Sequence, residues 1–213
     1  MAETLDFFSA RLARAPVLAV LRGQDPQGSV AMAEACWDAG LELVEVSIAG
    51  DRDLERVRAV CERASALGRL AGAGTVCTEA ELRAVALADA AFAVAPGLSH
   101  ETIGAARELS MPYLPGVVTP SEVQAALALG CRTLKLFPAG ELTPAWIRAL
   151  AGPFPDARLV AVGGITAANA EEFVAAGAIG VAIGSGLDPA SLRPLLGRLR
   201  NAAAHGREPT HRR

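Results

Sequence analysis

The sequence predicts a (β/α)8 TIM barrel with a short N-terminal helix. Short aliphatic runs alternate with alanine- and leucine-rich helical stretches without a break in composition, which implies a parallel sheet. There are eight such runs. Each repeat takes about 20 to 25 residues, the length of one strand plus one crossover helix. At 213 residues the chain suits one barrel domain, with the barrel over about 16–200 and a tail over 201–213. An open doubly wound sheet is the alternative, but no Gly-x-Gly-x-x-Gly turn follows the first run.

Residues 5–14, LDFFSARLAR, read as a short amphipathic helix laid across one end. The strands expected after Pro16 are Val17–Arg22, Leu43–Ile48, Leu70–Val76, Ala91–Pro96, Tyr113–Val118, Thr133–Phe137, Leu159–Ile165 and Ile179–Ser185. Helix signals fall between them. Thr78-Glu79-Ala80-Glu81 is a capping box, and Thr119-Pro120-Ser121-Glu122 puts proline in the first helical turn. Gly40, Gly130 and Gly177 stand where helices should stop. Asn201–Arg213 has little to bury and reads as a frayed tail.

Hydrophobic residues make up 52% and aromatics only 4%, so the core must be aliphatic. A net charge of −3 without clusters argues against a nucleic-acid surface. The chain has neither an apolar run of membrane-spanning length nor the order of a signal peptide, so a cytoplasmic protein is expected. The four cysteines form no Cys-x-x-Cys and read as free thiols. His100, His205 and His211 are scattered, so neither a metal site nor a cofactor is expected.

Of 20 basic side chains one is a lysine, Lys135, in the middle of Thr133-Leu134-Lys135-Leu136-Phe137-Pro138. An amine can be desolvated, lose its proton and attack a carbonyl, whereas a guanidinium stays charged. A lone lysine is ordinarily a solvated surface charge; the alternating apolar context, which reads as a buried strand, makes Lys135 the candidate nucleophile. On the second strand, alternation puts Glu45 and Ser47 on one face and Val44, Val46 and Ile48 on the other. A buried carboxylate needs a cationic partner or a raised pKa, which makes Glu45 the candidate acid/base, with a structural arginine pair as the alternative.

Active sites of barrels lie where strands end. There the third strand leaves room with Gly72 and Gly74 and offers the Thr75 hydroxyl, and Arg22 brings a cation suited to a carboxylate or phosphate. Gly163-Gly164 and Gly184-Ser185 form two glycine turns, each expected to lead into a helix start, on the seventh and eighth strands, where barrels commonly hold a phosphate. Lysine, glutamate and phosphate loops together suggest Schiff-base chemistry on a phosphorylated carbonyl compound. A phosphate-binding isomerase or epimerase, and a non-catalytic ligand-binding barrel, are the competing readings.

These residues resemble a known family. VEVSI around Glu45, GAGTV over Gly72–Val76, LPGVVTPSE, LKLFPA around Lys135 and GGI over Gly163–Ile165 are similar to the Entner–Doudoroff-type class I aldolases, the family of 2-dehydro-3-deoxy-phosphogluconate and 4-hydroxy-2-oxoglutarate aldolases. The resemblance spans roughly residues 16 to 187. It implies a homotrimeric barrel that releases pyruvate and glyceraldehyde 3-phosphate from a phosphorylated 2-keto acid. It also implies Lys135 as Schiff-base lysine and Glu45 as acid/base, with Thr75 near the pyruvate moiety. Pro96 and Phe137 would line the site, and Gly163, Gly164 and Ser185 would take the phosphate.

One departure bears on substrate. Gluconate-type members carry Thr-Leu-Arg-Thr where this chain has Ser47-Ile48-Ala49-Gly50, so the arginine that helps hold the substrate carboxylate is missing. Leu21-Arg22-Gly23 and Ala161-Val162-Gly163-Gly164 match galactonate-type members, in which valine replaces a threonine able to read the C4 configuration. Pro96-Gly97-Leu98 and Leu114-Pro115-Gly116-Val117 look more gluconate-like, and Ala49-Gly50 is smaller than the polar pair expected of a galactonate-type member. A galactonate-type substrate is the expectation, with another 2-keto acid as the alternative.

Overall fold

The computed structural model of the chain describes residues 6–50 and 53–205. Helix α1 (Phe7–Leu12) comes first, then β1 (Val17–Leu21), α2 (Pro26–Asp38), β2 (Leu43–Ser47), α3 (Asp53–Ala66), β3 (Ala71–Gly74) and α4 (Glu79–Ala86). The middle holds β4 (Ala93–Val94), α5 (His100–Glu108), β5 (Tyr113–Leu114), β6 (Gly116–Val117), α6 (Pro120–Ala128) and β7 (Thr133–Leu136). The chain continues through α7 (Ala139–Ala151), β8 (Arg158–Val162), α8 (Ala170–Ala175), β9 (Gly180–Ile183) and α9 (Pro189–His205). No helix among the described residues is long and apolar enough to cross a membrane.

All strand pairs are parallel, in the order β5-β4-β3-β2-β1-β9-β8-β7-β6. There are nine segments where eight runs were expected, because Tyr113–Val118 splits at Pro115, whose nitrogen has no hydrogen to donate. β5 pairs with β4 and β6 with β7, so the two ends of the sheet are consecutive pieces of one chain segment. Backbone bonds span the join: Gly116 N–H donates to Gly97 O at 3.0 Å, and Lys135 N–H donates to Pro115 O at 2.9 Å. The sheet therefore curls into a barrel, with the helices outside.

Alternation sorts the strand residues into two cores. Val44, Val46, Leu134 and Leu136 pack with the helices, while Leu18, Val20, Leu43, Val160 and Val162 fill the lumen. Glu45 and Ser47 share the face of Leu43, and Lys135 lies on the face opposite Leu134 and Leu136, so all three polar residues point inward. Each fully buried aliphatic side chain contributes roughly 1.5–3 kcal/mol, and an aliphatic barrel is built from many such contributions.

The helix punctuation read from the sequence is present. Thr78 and Thr119 form reciprocal capping boxes with Glu81 and Glu122. Gly40, Gly130 and Gly177 take φ of +103°, +73° and +112°, the left-handed region that ends a helix cheaply only for glycine.

Helix α1 closes the N-terminal end of the lumen. Phe8 and Leu12 join the lumen cluster, and the rings of Phe7, Phe8 and Phe92 meet at 5.1–5.8 Å. The Asp6 carboxylate caps α1 by accepting from Ser9 N–H at 2.9 Å, and also accepts from the Thr133 hydroxyl at 2.6 Å. Thus α1 is tied to β7, the strand that carries Lys135. The helix is shorter than the expected 5–14: Ala13 is its C-cap, and Leu5 lies outside the described residues. At the other end the expected tail needs correction. Helix α9 continues through Asn201 to His205 because Ala202 and Ala203 still pack against the core, while 206–213 lie outside the described residues.

Candidate active site at the C-terminal mouth of the barrel

Lys135 and Glu45 meet inside the lumen from opposite sides of the barrel. Their residues are 3% and 1% exposed. Burial lowers the Lys135 pKa; the Glu45 charge works against that, and Arg22 adds to it. Burial raises the Glu45 pKa, with the Lys135 and Arg22 charges opposing. Both groups are thereby driven toward their neutral forms, an amine and a carboxylic acid. Among the described residues Glu45 Oε2 has no hydrogen-bond partner, which leaves that oxygen free for acid/base work. The Lys135 Nζ stands 4.9 Å from the centroid of the Phe137 ring, which forms one wall.

The small residues of β3 make the space for this pair. A Cβ added at Gly74 would fall 2.3 Å from Glu45 Oε1, and one at Gly72 would strike Phe92 at 2.5 Å. Thr75, next in the chain, takes φ of +65°. Left-handed backbone is a genuine strain for a β-branched residue, and strain of this kind collects at functional sites. It redirects the chain where β3 reaches the mouth.

At the C-terminal ends of β1, β8 and β9 lies a cavity of about 220 Å³ whose lining includes Arg22, Phe137, Val162, Gly163, Gly164, Gly184 and Ser185; Lys135 and Glu45 are not in that lining, and Phe137 is the wall it shares with Lys135. Seven of the nine substrate-binding residues expected from the sequence are therefore gathered there. The other two, Thr75 and Pro96, stand apart from its lining, at the ends of β3 and β4. A larger cavity of about 390 Å³ opens at the opposite end, between α1 and the starts of β5 and β7. It is mostly apolar and lies by α1, away from the strand ends that carry Arg22 and the two glycine turns, so the smaller cavity is the candidate site.

A family model, that of the KDPG and KHG aldolases, matches residues 8–194. The chain belongs to this aldolase family. It is similar to the 2-dehydro-3-deoxy-6-phosphogalactonate aldolase of Escherichia coli K12, with 34% identity over 81% of this chain and 84% of the relative. The KHG/KDPG aldolase of the same strain is 32% identical, covering 84% of each chain. A solved KDPG aldolase from Legionella pneumophila, with pyruvate captured as a covalent carbinolamine, superposes with a TM-score of 0.75 at 27% identity, covering 92% of this chain and 95% of that one. Membership makes the protein a carbon–carbon lyase.

The aldolase locks its mouth loops through glycine contacts that the sequence reading missed. Gly140 N–H donates to Gly163 O at 2.8 Å, and a Cβ at Gly140 would lie 2.9 Å from the Gly164 Cα. Gly163 and Gly164 take φ of +86° and +72°, so the turn after β8 wraps against the one after β7 as only glycines allow. Each glycine turn is followed by a helix, as expected, after a few loop residues. After Gly164 the helix waits until Ala170, because Asn169 accepts from Thr166 N–H at 2.8 Å and donates to Gly164 O at 2.9 Å, holding a loop instead. After Ser185 it starts at Pro189. Any anion at this mouth would meet loop amides and Arg22 before a helix terminus. Val20, Ile165, Thr166 and Ala182 complete the lining; alternation along β1 and β9 was the signal for Val20 and Ala182.

Proposed function

We propose that the protein is a class I, metal-independent aldolase that cleaves a 2-keto-3-deoxy-6-phospho sugar acid to pyruvate and glyceraldehyde 3-phosphate through an imine on Lys135. The observation that carries this reading is the joint burial of Lys135 and Glu45, each held toward neutrality. A neutral amine attacks the C2 ketone, and Glu45 supplies the proton with which the hydroxyl leaves as water. The protonated imine then draws in the electron pair of the C3–C4 bond as Glu45, left ionised by the dehydration, takes the C4 hydroxyl proton. The aldehyde leaves. Protonation of the enamine at C3 and hydrolysis return the amine and pyruvate. The carbinolamine named for the Legionella structure supports the same sequence of events.

The two adjacent left-handed glycines and Arg22 at the mouth support a phosphorylated ligand. Ala49, which offers no cation, and Val162, which offers no hydroxyl, support the galactonate-type epimer. The homotrimer and the cytoplasmic location implied by the resemblance belong to the same proposal, and sedimentation as a monomer would remove the first of these. The decisive experiment is incubation with pyruvate and borohydride followed by peptide mapping. Reduction fixes the imine, and a pyruvate-derived mass on the Lys135 peptide is expected; a folded protein without it, or an adduct elsewhere, overturns the reading. Lys135→Arg should lose the adduct and turnover while keeping the fold. Assays on both 2-keto-3-deoxy-6-phospho epimers and on 4-hydroxy-2-oxoglutarate then decide the substrate.

A further inference from the structure

A cavity of about 410 Å³ lies at the N-terminal rim of the barrel, outside the strands, between the end of α2, helix α9 and the residues leading into β3. Arg69, Arg193 and Arg200 line it together with Trp37, and Asp38 brings the one carboxylate in that lining. Two of the guanidinium groups are anchored on backbone. Arg193 Nη2 donates to Asp38 O at 2.7 Å, and Arg200 Nε and Nη2 donate to Arg14 O at 3.0 and 2.7 Å. Each guanidinium has five N–H bonds, so these anchors leave donors to spare. The Arg69 side chain has no hydrogen-bond or ion-pair partner among the described residues, and Glu42, the carboxylate on which its charge acts, already gives both oxygens to Arg14 at 2.5 and 2.6 Å. The Trp37 indole N–H is likewise without a partner among the described residues, although Trp37 is only 2% exposed.

Guanidinium and indole groups donate and cannot accept, so this lining calls for an acceptor, and a buried donor left unpaired is disfavoured. Water would bring two hydrogens of its own to a surface of donors. An anion brings none, and three guanidinium groups outweigh the single Asp38 carboxylate. A carboxylate has two oxygens to share among three arginines, whereas a phosphoryl group turns an oxygen to each. We propose that this cavity is a second anion site, which takes a phosphoryl group, free or carried on a small molecule, between Arg69, Arg193 and Arg200 with the Trp37 indole beside it. Arg193 and Arg200 are preset by their carbonyl anchors; Arg69, which has none, is the group that the anion orders. The site stands at the opposite end of the barrel from the mouth that Arg22 lines, and it does not depend on the chemistry at Lys135. Its occupant joins α2, α9 and the lead into β3, three segments distant in sequence, and stabilises the folded chain by mass action.

Titration of isotope-labelled protein with inorganic phosphate, at an ionic strength held constant with sodium chloride, tests this by NMR of the indole N–H groups. The chain has two tryptophans, and the other, Trp146, donates to Val118 O at 2.8 Å, so Trp37→Phe assigns both resonances. The Trp37 resonance should move saturably with half-saturation at about 1 mM, the product of three charge-assisted contacts of about tenfold each. Arg69→Ala removes an exposed, unpaired side chain and leaves the fold alone; it and Arg193→Ala should each raise half-saturation about tenfold. Arg198→Ala, on the same helix α9 but paired with Glu171 outside the cavity, and Arg22→Ala at the mouth should leave it unchanged. A parallel titration with glycerol 3-phosphate separates the two sources: saturation by either anion supports the site, and the tighter one tells whether the phosphoryl group arrives free or on a carbon chain. A Trp37 resonance that stays still up to about 10 mM of both anions overturns the site. So does movement that follows ionic strength alone, or wild-type half-saturation in both Arg69→Ala and Arg193→Ala.

Discussion

Replacing Gly74 with alanine adds one methyl group where β3 faces the Glu45 carboxyl. The new carbon would lie 2.3 Å from Oε1 and 2.8 Å from Cδ, while unstrained heavy-atom contacts need about 3.5 Å, so the carboxyl must retreat by roughly 1 Å. Space for that retreat is short, because the residue is 1% exposed and Ser47 Oγ stands 3.3 Å from the same methyl. Gly74 is not among the positive-φ glycines, so alanine meets no backbone penalty and the effect belongs to the contact. A displacement of this size costs roughly 10²-fold in kcat, and overpacking costs about 1–3 kcal/mol of stability. The assay is pyruvate release from the cleaved sugar acid, with thermal unfolding alongside. Borohydride trapping should still label Lys135 at saturating pyruvate, though more slowly. A folded Gly74→Ala enzyme with kcat within about threefold of wild type would refute the claim that the glycine keeps Glu45 in place. Gly104→Ala is the control: it lies inside α5 with nothing within 4 Å, and should gain about 0.5–1 kcal/mol without a change in activity.

The raised pKa of Glu45 also has a stability consequence. The folded chain holds this proton more tightly than the unfolded chain, whose glutamate titrates at 4.5, so the favourable contribution is complete below 4.5 and is lost as pH rises through the folded value. Glu45→Gln removes that loss and should gain on wild type as pH rises above 4.5, by about 1.4 kcal/mol for each unit of displacement. Urea midpoints at several pH values check this, and parallel curves for the two proteins would contradict it. Arg22→Ala, at an exposed mouth position, should raise KM for the phosphorylated substrate about tenfold or more while kcat stays within about threefold, as expected for loss of one charge-assisted contact. Unchanged KM in steady-state assays would take Arg22 out of ligand binding.

Local signals carried most of the architecture. The capping boxes at Thr78 and Thr119 and the helix-ending glycines involve residues within a few positions of one another, so they could be read directly. Period-two alternation alone puts Glu45 and Ser47 on one face of their strand, and the apolar run around Lys135 marks it as buried. What stayed hidden depends on partners distant in sequence. Pro115 splits its strand at the join, where it has no N–H to give and can only accept, as it does from the distant Lys135. Gly140 is small because Gly164 lies against it, and Asn169 delays α8 by bonding back to Gly164. The strain at Thr75 leaves no compositional trace, since threonine is ordinary at a strand end. Ser47 was seen to face inward, but only the three-dimensional packing shows that its hydroxyl is orphaned beside Glu45.

The α1 plug turns the lumen into a blind alley. Under the imine chemistry proposed above, and with Phe8 and Leu12 filling the far end, a group attached to Lys135 would come and go through the mouth that Arg22 and Ser185 line. Traffic is then last in, first out. On that proposal the half of the substrate lodged at the mouth would depart before the half on the lysine is freed, and in the synthetic direction the keto acid would load first. Chain connectivity at one end of the barrel thereby imposes a sequence on events at the other, which steady-state kinetics would read as an ordered mechanism with the keto acid as first substrate bound and last product released.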